Sequence, residues 1–118
     1  MNNDDKKIYD MHAHIFPGKI AAKAVDSISK FYSIEMAEKG TAEDLIVQGG
    51  KAGVKKYLVC STATTGVQVP AINGFIANEV CEHPEFIGFG SLHPDYENTG
   101  DEVERMISLG LKGIKLHP

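Results

Sequence analysis

Apolar and polar positions along the chain switch between a two-residue rhythm and a helical one. Residues 7–12, KIYDMH, read as a short strand that IFPG breaks. In GKIAAKAVDSISKFY, Ala21, Ala24, Val25, Ile28 and Tyr32 fall at helical spacing. A second helix starts at Thr41, where Asp44 three residues on makes a capping-box-like start, and Gly53 marks its end. Residues 55–62, KKYLVCST, hold a β-rich run from Tyr57 to Cys60, followed by the loop TATTGVQVP. A third helix over about 70–82 carries Ile72, Ile76 and Val80, and His83-Pro84 ends it. EFIGFGSL is a third strand and HPDYENTG a turn-rich loop. DEVERMISLG is a short helix with Val103, Met106 and Ile107 inward and Gly110 at its end; KGIKLH is a fourth strand.

Strands that alternate with helices in this way pair in parallel, with the helices packed over them. The expected fold is therefore α/β, a single domain over 1–118 built from parallel βα units with about four strands. AGVKKYLVC and LGLKGIKLH repeat one junction: helix end, glycine, lysine, apolar strand. In such folds ligands bind at the carboxyl ends of the strands. His12 and His14 fall at the end of strand one, His93 just past strand three and His117 at the end of strand four. Four of the five histidines thus map to one rim, and His83 alone to the other.

Alternation within IYDMHAH predicts that Asp10, His12 and His14 leave one face of the strand and Met11 and Ala13 the other. Two neighbouring neutral imidazoles suit a divalent metal ion, so His12 and His14 are the candidate ligands. Asp10 is expected behind them, orienting a ligand histidine rather than binding the ion. Lys115 and His117 share a face of strand four, with Ile114 and Leu116 on the other under the helices. A lysine turned into a barrel needs an ionic partner or chemical modification, and both it and His117 are candidates for metal or substrate contact. His93 shares its face with Ser91 and Phe89 and either nears substrate or caps its loop. His83 and both cysteines read as structural.

Composition narrows the setting. The 118 residues are 42% hydrophobic and 24% charged, with a formal net charge of −4 spread along the chain. No basic stripe suits nucleic acid, and no apolar run suits a membrane span. The polar start MNNDDKK does not resemble a signal peptide, and Cys60 and Cys81 read as free thiols. A cytoplasmic protein acting on a small molecule is the expectation. TATTG is no phosphate loop, and no nucleophilic Ser or Cys motif stands out.

Three segments resemble one family. DMHAHIFP is similar to the D-x-H-x-H-x-x-P start of the amidohydrolase-related metal-dependent hydrolases, a group that includes metal-dependent decarboxylases. HPEFIGFGSLHPD resembles that family's third-strand segment, and LGLKGIKLHP its fourth. The resemblance implies a TIM-type (βα)8 barrel with a divalent metal, most often zinc, and assigns His12 and His14 as the first two ligands. It further implies a metal-activated water attacking a C–N or C–O bond, or metal-assisted decarboxylation.

A complete barrel takes about 200 residues or more. Residues 8–118 resemble the family's N-terminal half, and the later histidines and the last-strand aspartate general base that the resemblance implies have no counterpart here. Three readings follow: a hydrolase of amidohydrolase type, a decarboxylase, or a non-catalytic half-barrel that at most binds metal. A phosphoesterase-type barrel is disfavoured by the Phe-Pro after the histidines and by GIKLHP. Open edges on strands one and four predict either a homodimer that closes the barrel or poor solubility of an isolated monomer.

Overall fold

A computed structural model describes residues 6–21, 23, 26, 29, 30 and 40–117. It contains β1 (Ile8–His14), α1 (Ala42–Lys51), β2 (Val54–Cys60), a 3-10 turn (Gly66–Gln68), α2 (Val69–Glu82), β3 (Phe86–Leu92), α3 (Thr99–Ser108) and β4 (Gly113–Leu116). All pairings are parallel, and the strand order is β1-β2-β3-β4. A doubly wound sheet would reverse its order partway. Here successive crossovers run one way, and the sheet curls into roughly half a (βα) barrel, the α/β architecture that the alternating pattern predicts. In the first expected helix, Ala21, Lys23, Asp26, Ser29 and Lys30 are helical; Ala24, Val25, Ile28 and Tyr32 lie outside the described residues.

Local chemistry explains the boundaries. The Thr41 hydroxyl accepts the Asp44 N–H at 3.2 Å and caps α1. Gly53 and Gly110 both sit at φ 82, the left-handed turn that takes each helix into its strand. This is the shared junction visible as AGVKK and LGLKG. The outer face of the sheet supplies Ala13, Tyr57, Val59 and Phe86, which pack with Ala42, Ile76, Ala77, Met106 and Leu111. Tyr57 and Phe86 meet edge to face at 5.8 Å. Each such large side chain contributes about 1.5–3 kcal/mol by leaving water.

A polar knot secures the carboxyl end of β3. The β2–β3 ladder runs only from Tyr57↔Phe86 to Val59↔Gly88, so the backbone of Ser91 lies beyond it. Asn73 of α2 takes over: its Oδ1 accepts the Ser91 N–H at 2.7 Å and its Nδ2 donates to the Ser91 carbonyl at 3.0 Å. Ser91 Oγ then donates to the Ser61 carbonyl at 2.7 Å. Glu102, buried on α3, accepts from Asn73 at 3.4 Å and pairs with Arg105 at 2.5 Å.

Several expectations change. β1 does not stop at residue 12 but continues through His14. Ile107 is 70% exposed rather than inward, and Met106 alone of that pair reaches the core. Ile114 and Leu116 are not under helices: they are 42% and 67% exposed, because no described element covers the outer side of β4. On β1, Ile8, Tyr9 and Met11 are likewise exposed. Both outer strands of the half-barrel thus present apolar side chains to solvent.

Candidate metal centre

The register of β1 on β2 builds the site. His14 and Cys60 are partners across the ladder, so they leave the same face side by side. One step back, Ala13 pairs with Val59, and both point into the outer core. Between Asp10 and Ala13 the register slips: β1 carries one more residue than β2 spans from Tyr57 to Val59. This bulge covers Met11 and His12 and re-aims the His12 side chain. The His12 and His14 rings lie 5.0 Å apart, tilted by 41°, with their Nε2 atoms 2.9 Å apart.

His12, His14 and Cys60 each offer one ligand atom, and these lie within 4.8 Å of one another. The group can hold a metal ion. Two imidazole nitrogens on a tetrahedral zinc-type ion stand about 3.3 Å apart, given bonds of 2.0–2.1 Å. The observed 2.9 Å is a few tenths short, and the exposed His12 ring has room to swing outward. Cys60 is 1% exposed and its Sγ makes only a weak 3.8 Å contact with the Ala13 carbonyl.

Electrostatics prepare the same side chains. Burial first, then His12, Lys115 and His117, lower the His14 pKa from 6.5 to about 4. His14 is thus neutral at pH 7, the form that donates a lone pair to a metal. Burial raises the Cys60 thiol, while Lys115 pulls it the other way. A bound cation would favour the thiolate further.

Lys115 pairs in register with Ser91 and faces the hollow of the half-barrel, where its charge is felt by His14 and Cys60. His117 follows β4 directly and also acts on His14. These two therefore gather with the histidine pair at the carboxyl rim. His93 does not join the group: its Nδ1 accepts the Asp95 N–H at 3.1 Å and shapes the loop after β3. The expected convergence of Asp10 with both histidines gives way to the bulge. Asp10 pairs in register with Tyr57, three residues before Cys60 and so on the opposite face, and its Oδ1 accepts the His12 backbone N–H at 3.0 Å. It holds the backbone that aims His12 rather than the ring.

Cys60 escaped the sequence reading, which took it as structural. Its position as the last residue of a strand, at the same rim as His14, was the available signal; the register that makes them neighbours is not written in any motif. No helix among the described residues is long and apolar enough to cross a membrane. No protein-family model matches the chain, and no curated protein matches it.

Proposed function

We propose that this chain carries the metal-binding half of a metal-dependent hydrolase centre of amidohydrolase type, with zinc held by His12 and His14 and joined by Cys60. The observation that supports this most is the meeting of His12, His14 and Cys60 at the carboxyl rim of a parallel half-barrel. That rim is where barrel enzymes place their chemistry. The half-exposed His14 and exposed His12 leave the centre open on one side to a small-molecule substrate. A zinc ion there would lower the pKa of a bound water to about 7 and polarise a carbonyl oxygen.

Lys115 and His117 add positive or neutral donors beside the pair, suited to an anionic or carbonyl group of the substrate. No carboxylate belongs to the His12–His14–Cys60 group. The proton-accepting group of the reaction therefore has to come from outside this trio. The same layout would serve decarboxylation, in which the metal holds the substrate's oxygens.

The test is zinc content and affinity of the purified chain at pH 7, with His12→Ala/His14→Ala as the comparison. One ion per chain lost in the double variant is expected. A folded protein that takes up no zinc at this rim sinks the reading.

A further inference from the structure

A second set of metal-ligating side chains lies in the helical layer, away from the rim. Glu43 in the first turn of α1, Glu79 near the end of α2 and His83, which closes α2, bring one ligand atom each within 4.8 Å of one another. We propose that these three residues bind a second divalent cation of zinc's size and preferences, which clamps α1 to the end of α2.

Three observations carry this. Glu79 Oε2 and His83 Nε2 are both buried, and apart from the contact between them neither has a polar partner. Buried polar atoms so sparsely partnered are costly to a fold. Second, the two atoms face each other at 3.3 Å. A charge-assisted N–H···O bond closes to about 2.7–2.9 Å. The observed gap instead matches the roughly 3.3 Å edge between nitrogen and oxygen ligands on a tetrahedral ion. Third, the geometry is held without the ion. Glu79 and His83 sit one helical turn apart, with side chains 13% and 22% exposed, and the His83 ring packs on Phe86 at 5.0 Å. Glu43 and Glu79 place two carboxylates beside each other.

An imidazole with two carboxylates is a borderline set, suited to zinc and neighbouring divalent ions rather than to calcium. Three protein ligands leave a position for water, on the side of the exposed Glu43. The alternative, a bare His83–Glu79 hydrogen bond or ion pair, leaves Glu43 outside the contact.

The site is tested in the His12→Ala/His14→Ala chain, so that it stands or falls apart from the rim. Zinc is titrated by calorimetry at pH 7. The result expected is about one ion per chain, an affinity at least tenfold weaker after Glu43→Gln, and no binding after Glu79→Gln. Glu43 is exposed, so its variant leaves the fold intact. In the same double variant, cobalt(II) used in zinc's place should shift the His83 and Phe86 ring proton resonances. A folded double variant that binds no zinc, zinc binding unchanged by Glu43→Gln, or unshifted His83 and Phe86 resonances would each overturn the proposal.

Discussion

His14, the last residue of β1, is the register partner of Cys60, the last residue of β2. Two side chains 46 positions apart in the sequence are thereby fixed on adjacent strands, on one face and at one rim. The bulge at Met11 and His12 turns His12 towards the same point. The metal group is thus a product of pairing, not of the H-x-H spacing alone.

Cys60→Ala should weaken zinc binding at the rim at least tenfold, a loss of about 1.4 kcal/mol or more. The replaced thiol is buried and makes only one weak contact, so a thermal melt of the metal-free protein should move little. The decisive reading is the cobalt(II) spectrum. A thiolate-to-metal charge-transfer band should be present in the unaltered chain and gone in Cys60→Ala. A spectrum identical in both would remove Cys60 from the ligand set.

The alternation of strands and helices was legible because each depends on local rules: Thr41 caps on Asp44, glycines turn at 53 and 110, and His83-Pro84 stops α2. The rim positions of His12, His14, His93 and His117 followed from that order alone. What failed depended on pairing or on neighbours. The bulge at Met11–His12 split Asp10 from the histidines, and no two-residue rhythm reports an inserted residue. Ile107 and Leu116 carry core-type side chains, but no described element covers them. Asn73 is a polar residue of α2, yet it is fully buried because the Ser91 backbone needs it.

Asn73→Ala should destabilise the fold by about 2–4 kcal/mol, since it strands a buried N–H and carbonyl of Ser91 together. Asn73→Asp keeps the acceptor for the Ser91 N–H but loses the donor and sets a second carboxylate against Glu102. It should be no better than alanine. Urea denaturation of the three proteins decides this. An Asp variant as stable as the unaltered chain would mean the Nδ2 donor does not matter.

Alkaline stability should hinge on Tyr57. Burial, with Glu85 and Asp10, raises its phenol above the usual 10.0. The unfolded chain therefore releases this proton first, and the stabilisation from the neutral buried phenol is complete below pH 10. It declines as pH rises from 10 through the folded-state value. Denaturation measured between pH 9 and pH 11 should show this fall, and Tyr57→Phe should flatten it. An equally steep fall in the phenylalanine variant would assign it to other groups.

The open edges yield the last prediction. β1 exposes Ile8, Tyr9 and Met11, and β4 exposes Ile114 and Leu116, each on a strand with one unpaired side. Unprotected edges of this kind seek another strand. A two-fold axis along the axis of the curl sets β4 of each copy beside β1 of the other. All eight strands then run parallel and no edge remains, which closes the assembly at two copies. The isolated chain should therefore sediment as a dimer, and both metal rims would open at the same end. Leu116→Lys with Met11→Lys should shift it towards monomer, since charge on both edges opposes pairing. Analytical ultracentrifugation of the two proteins gives the answer. A monodisperse, soluble monomer of the unaltered chain would show that the edges are tolerated singly, and the second wall of the site would then have to come from another source.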